Sequence, residues 1–106
     1  MSSVLSIAAS GMAAAQKRLE ISARNVANVS ARPSDEEAAF AALRTDQVEI
    51  SGGGTAAVVS RAPQGGQVDL AGEAVQQMVV RYTFAANAKV ARIAGEMQKA
   101  LLDVKA

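Results

Sequence analysis

The sequence predicts a mainly α chain with a small β part: long N- and C-terminal helices pair as an antiparallel coiled coil, with a β-hairpin in the middle. Three observations predict it. Apolar residues recur at steps of three and four from Leu5 to Val26. A second such run extends from Val79 to Val104. Between the two, Val48 and Ile50 alternate with polar neighbours, and Val58 and Val59 follow a glycine run. Residues 1–32 and 67–106 are read as one coiled-coil domain, and residues 33–66 as a short hairpin insertion.

The first helix is expected over residues 4–28. Ser2 or Ser3 can cap it by accepting an orphan backbone N–H. Leu5, Ala8, Met12, Ala15, Leu19, Ser22 and Val26 form an unbroken a/d seam with one polar member, Ser22. Gly11 costs about 1 kcal/mol relative to Ala. Beside Ala13, Ala14 and Ala15 it also makes a smooth surface where another helix can come close. Asn25-Val26-Ala27-Asn28 reads as the end of this helix, since Asn tolerates left-handed geometry and bonds nearby backbone. Pro33 closes the segment, because the residue before a proline is pushed out of the helical region.

The middle changes texture twice. Ser34 to Glu37 spells a capping box, and the Ala-rich run to Leu43 has the text of a short helix. Residues 46–62 have a different, strand-like texture. Two short strands joined through Ser51-Gly52-Gly53-Gly54 make a hairpin. The same glycines are a poor phosphate loop, because no Lys-Ser/Thr and no helix start follow them. Pro63, Gly65 and Gly66 form the next break.

The second helix is expected over residues 69–104, with Asp69 as its cap. Val79, Tyr82 and Ala86, then Val90, Ile93 and Met97, then Leu101 and Val104 repeat every eleven residues. Such a repeat has about 3.67 residues per turn and drifts right-handed, unlike the seven-residue repeat of the first helix. The two are therefore not a matched pair, and each must serve more than one neighbour. Arg92, Glu96, Lys99 and Asp103 alternate in sign along another face, which reads as a solvated ladder. At 1.5 Å per residue the helices reach roughly 37 and roughly 50 Å, too long to hide in a compact globule of this size.

Composition narrows the function. The chain has 106 residues, no Cys and no His, three aromatics and a net charge of +1. Without Cys there is no disulfide to staple a small core. Without His the commonest general base and metal ligand are missing. The charge balance offers no electrostatic case for nucleic acid. No apolar run approaches a membrane span of roughly 18 residues, so no stable membrane insertion is expected. The first basic residues, Lys17 and Arg18, follow the apolar stretch, which is the wrong order for a cleaved signal peptide. Asp35, Glu36 and Glu37 suit the negative first turn of a helix better than an acid/base pair. No catalytic residue, cofactor or metal ligand is therefore assigned, and the chain is read as a non-enzyme.

Two runs then gain meaning together. From Leu5 through Gly11-Met12-Ala13-Ala14-Ala15-Gln16-Lys17-Arg18-Leu19 to Asn25-Val26-Ala27-Asn28-Val29, the chain resembles the N-terminal segment of the bacterial flagellar axial proteins, the rod, hook and hook-associated proteins. From Val68-Asp69-Leu70-Ala71 through Ala86-Asn87-Ala88-Lys89-Val90 to Leu101-Leu102 it is similar to their C-terminal segment. The resemblance covers roughly two thirds of the chain, in the correct order. It departs from the family at Arg24, where a further Asn is common. It departs again at Ser30-Ala31-Arg32-Pro33, where hook and distal-rod members carry Thr-x-Gly-Phe-Lys-like text. With so short a middle, the chain looks most like a proximal rod protein.

The resemblance implies a structural subunit of the flagellar basal-body rod. It implies a coiled-coil domain stacked around a channel, an extended segment around Phe40–Glu49, and export through the flagellar type III apparatus without a cleaved signal. With that segment, strand is expected from about Leu43 onward, and residues 35–42 are left as a possible helix. The implied partners are other axial proteins and copies of itself, with a helix swap or homo-oligomer expected for the isolated chain. Leu5, Met12, Leu19, Asn25, Val26 and Asn28 in the first helix are the residues expected to carry packing. In the second they are Val79, Tyr82, Asn87, Val90, Ile93, Met97 and Leu101. The competing reading is a small helical interaction protein, such as a secretion chaperone, that binds an amphipathic partner helix. A membrane-surface helix is a weaker one, since the first helix lacks a Lys/Arg-rich polar face.

Overall fold

The computed structural model describes residues 2–31, 43–61 and 68–105. Helix α1 spans Ser2–Ala31, strands β1 and β2 span Leu43–Glu49 and Thr55–Arg61, and helix α2 spans Leu70–Lys105. The strands form one antiparallel hairpin, with Leu43 opposite Arg61 and Glu49 opposite Thr55. The architecture is the one the sequence predicts: two long terminal helices with a two-stranded hairpin between them. The Ser34–Glu37 box and the possible helix over residues 35–42 lie outside the described residues.

Helix α1 is longer than the expected 4–28. It starts before Ser3, whose carbonyl accepts a bond from the Ser6 hydroxyl inside the helix, so Ser3 is not the cap. It also runs through Asn25 and Asn28 instead of ending there. Asn28 folds back onto its own helix, donating to the Arg24 carbonyl at 2.9 Å. The Asn25 side chain is engaged elsewhere in the fold. The Asn25 amide is taken up by distant partners and the Asn28 amide bonds a carbonyl four residues back within the helical turn, so neither breaks the helix. Helix α2 begins after Asp69, as expected. The Asp69 carbonyl accepts the first helical bond from the Glu73 N–H at 2.9 Å, and the carboxylates of both residues suit the positive end of the helix.

The helices are antiparallel. Gly11 lies against Asn87, Ser22 against Gln77, and Asn25 against Glu73. Nine residues back from Gly11, at Ser2, this register reaches Glu96. Residues 97–105 therefore extend beyond the start of α1.

The hairpin lies along α1. Leu43 meets Asn25 at one end, and Thr55 donates its N–H to the Ser10 hydroxyl at the other, 3.1 Å away. Fifteen helical residues from Ser10 to Asn25 span about 22 Å. A seven-residue strand such as β1 spans about 23 Å. The strands are thus the length that lets both ends of the hairpin reach α1. Leu43 and Thr45 are half-buried while Val48 is exposed, so the apolar alternation that marks β1 includes a residue on its outer face.

The turn is held by Ile50 N–H bonding the Gly54 carbonyl at 3.0 Å and Gly53 N–H bonding the Ile50 carbonyl at 2.9 Å. Gly52, Gly53 and Gly54 all have φ near +100° (95°, 106° and 105°), a region that other residues enter only with strain. Gly54 faces a second constraint. A Cβ built there would sit 2.6 Å from the Ser10 Oγ.

The molecule is slender, 68 × 24 × 16 Å, with a radius of gyration of 18.3 Å against about 13 Å for a compact chain of this length. The buried apolar residues among those described are Ala8, Ala14, Ala15, Ile21, Val80 and Ala94. Four of the six are Ala, each offering about 0.8 kcal/mol per buried carbon where a Leu or Phe offers about 1.5–3. The accessible surface is 7130 Å², against about 5,500 Å² for a typical monomer of the same mass. The fold leaves more surface accessible than a compact chain of this mass, and large apolar residues such as Val75, Met78, Tyr82 and Leu102 are among the exposed ones. We predict that Gly54→Ala costs about 2 kcal/mol in urea unfolding and Gly52→Ala about 1 kcal/mol. Nothing lies within 4 Å of an added Cβ at Gly52, so equal costs would contradict the docking of the turn on Ser10.

Candidate assembly surface

A polar lock holds the fold together at one end. Asn25 is 1 % exposed, and its carboxamide is bonded in both directions. The Nδ2 donates to the Leu43 carbonyl at 2.9 Å and to Glu73 Oε2 at 3.0 Å. The Oδ1 accepts the Leu43 N–H at 3.0 Å. One side chain thus serves as a strand partner for β1 and ties both to α2. Ser22, also buried, sits one turn away. It donates to the Glu73 carbonyl at 3.4 Å and accepts from Gln77 Nε2 at 3.0 Å. Arg18 extends the pattern, reaching Gln47 on β1 at 3.1 Å and Gln76 on α2 at 3.4 Å. Among the described residues no buried side-chain polar atom lacks a partner.

An open cleft of about 230 Å³ lies beside this lock, lined by Arg18, Asn25, Glu73 and Gln76 among others. Among the described residues that line it, the carboxylate is Glu73, which is bonded to Asn25. Among the described residues no group of three or more acidic side chains could hold a metal ion. No helix there is long and apolar enough to cross a membrane.

The second joint is a close approach. Asn87 donates to the Thr83 carbonyl of its own helix at 3.0 Å. That leaves its amide against Gly11, where a Cβ would sit 2.6 Å from the Asn87 Nδ2. The smooth patch at Gly11 is therefore used inside the chain, and the Asn motif of each terminal segment takes part in the intramolecular joint. Of the packing residues expected from the sequence, the structure brings Asn25 and Asn87 to these joints. Leu5, Met12, Val26 and Asn28 are half-buried along α1, and Leu19 is exposed. The buried face of α1 keeps Ala8, Ala15 and Ser22 of the expected seam and adds Gly11, Ala14, Ile21 and Asn25 on one side of it. It is rotated by roughly a quarter turn from the seam, towards the small and polar side.

Helix α2 carries the larger displacement. It meets α1 with Glu73, Gln77, Val80, Asn87 and Ala94. Its apolar repeat lies about a third of a turn away. Every expected apolar packing residue on it is exposed: Val79, Tyr82, Val90, Ile93, Met97 and Leu101. Tyr82 is 78 % exposed and Val104, at the end of the stripe, 83 %. Isolated exposed apolar residues are ordinary; here they form a stripe that runs along most of the helix. Glu73, Gln77, Arg18 and Ser10 are working residues that the sequence did not single out. The one available signal was Ser22, a polar residue inside an otherwise apolar seam.

We predict that Asn25→Ala lowers stability by about 3 kcal/mol, because it strands the Leu43 backbone and the Glu73 carboxylate together. Asn25→Asp keeps the shape but brings a carboxylate against two acceptors, and should cost at least as much. Asn28→Ala removes only a bond within its helix and should stay within about 0.5 kcal/mol. Denaturant titration of the three variants checks this order. For the second joint, Gly11→Ala should destabilise and Asn87→Ala should relieve that cost in the double variant, giving a coupling of about 1 kcal/mol in a double-mutant cycle. Additive effects would show that the two residues do not meet. No protein-family model matches the chain, and no curated protein matches it.

Proposed function

We propose that this chain is a rod-type structural subunit of the bacterial flagellar basal body, working by helix packing with other axial proteins and with copies of itself. The observation that carries the reading is the outward apolar stripe of α2, on a molecule whose own core is mostly alanine. A chain that leaves its best packing surface uncovered is suited to a place among neighbours, where the stripe is buried on assembly. Two further features support it. The Asn motifs that resemble the axial family sit at the joints that lock α1 to α2 and to the hairpin. The slender two-helix body, 68 Å long, suits side-by-side packing in a tube wall. The proposal includes passage through the flagellar type III export apparatus and residence in the periplasm-spanning rod.

The expected outcome of fractionation is co-purification with basal bodies, and deletion should abolish motility. Substituting Asp for Val90 or Met97 should also abolish motility, because a carboxylate on the stripe resists burial, while the helical circular dichroism of the purified variant persists. Normal motility of the deletion strain, with the protein found only in the cytosol, would contradict the proposal.

A further inference from the structure

The hairpin has two edges, and the way it docks decides which of them is open. Asn25 bonds both backbone groups of Leu43, so these groups point away from β2. The Thr55 N–H, which donates to Ser10, points away from β1. Alternate residues of a strand turn their backbone groups to the same edge. The groups of Ala57, Val59 and Arg61 therefore point out of the free edge of β2, and among the described residues nothing bonds them there. The hairpin crosses α1 obliquely: β2 touches it at Thr55, and β1 touches it at Leu43, opposite Arg61. The far end of β2 thus stands off the helix, and Val58, Val59, Ser60 and Arg61 are all exposed. We propose that this end of β2 is a strand-addition site, which takes an extended segment of a neighbouring axial chain as a third strand of the sheet. The proposal rests on the rod reading and uses none of the α2 stripe.

The chemistry of the edge names the partner. Outward N–H and C=O groups at every second residue match another extended backbone. Strand edges in folded proteins are ordinarily blunted by charges, proline or a bulge. From Thr55 to Ser60, β2 has no charge and no proline, and its register with β1 is unbroken. The other edge is guarded. Arg44, Asp46 and Glu49 put charge on β1, Asn25 caps Leu43, and Arg18 holds the Gln47 side chain. A third strand also completes a sheet that is marginal with two. Val58 and Val59, on opposite faces, favour β-branched or aromatic residues across the strands. Arg61 is exposed and forms no ion pair among the described residues, so the segment should carry an acidic residue beside it. A second β2 fits less well. It has no acidic residue to offer Arg61, and pairing antiparallel over its full length needs the Thr55 N–H that Ser10 already holds.

Proline at position 59 removes an outward N–H and leaves the ladder bonds to β1 in place. Purified full-length Val59→Pro should therefore keep its helical circular dichroism and the slow exchange of the Val58 amide, which pairs with Asp46 of β1. Its recovery in purified basal bodies should fall about tenfold. Val59→Lys guards the edge without changing the backbone and should lower recovery to a similar extent. Arg61→Glu should lower it too, where Arg61→Lys does not. Recovery of Val59→Pro and Val59→Lys at the wild-type level would overturn the proposal. So would protection of the Ala57 and Val59 amides that grows with concentration in the purified chain, because it would assign the edge to a second copy. A wild-type chain absent from basal bodies is a separate failure: it overturns the rod reading, and this partner with it, before any variant is made.

Discussion

The Asn25 carboxamide bonds three elements of the chain at once, and the arrangement of the rest follows from where it sits. Its amide group satisfies both backbone groups of Leu43 and one oxygen of Glu73. A buried carboxamide has few ways to meet its donors and its acceptor, and an unmet group costs about 1–3 kcal/mol. That penalty selects one register for β1 against α1 and one for α2 against α1. Ser22 and Arg18 repeat the same logic on the next two turns. With so few bulky side chains in the core, specificity here comes from polar groups that can be satisfied in one way.

The same lock explains why α2 faces as it does. The face that meets α1 must supply partners for Asn25 and Ser22 and a residue that tolerates contact with Gly11. Glu73, Gln77 and Asn87 lie on one side of α2 and meet those needs. Once that side is turned inward, the apolar repeat is carried outward. The small residues of α1 add to the effect, because Ala8, Gly11 and Ala15 leave no pocket for a Tyr or a Leu. The result is a helical pair joined by hydrogen bonds and close approach, with the apolar stripe of α2 left exposed.

Periodicity was enough to read the two helices and the hairpin, a capping residue marked the Asp69 end of α2, and the start of β1 near Leu43 came from the resemblance to axial proteins. These depend on local steric and capping preferences that act within a few residues. The choice of inward face was not legible, because the apolar stripe is the obvious candidate for a core and nothing local argues otherwise. Asn25 shows why. Within its own helix it reads as a terminator, and only the arrival of Leu43, eighteen residues on, turns it into a tie. Ser22 was visible as an oddity in the seam, but its partners Glu73 and Gln77 are about fifty residues away. The resemblance to axial proteins drew attention to Asn25 and Asn87 without saying what they bond.

The central claim is that the apolar face of α2 points away from the chain's own packing. Tyr82 is the one tyrosine in a chain without Trp, and it stands in the middle of that face. Acrylamide quenching of its fluorescence across a dilution series tests the claim most directly. The account predicts quenching close to that of free tyrosine at the lowest concentrations and progressive shielding as the chain associates. A Tyr82 already shielded in a chain that sediments as a monomer would place the stripe inside the fold and contradict it.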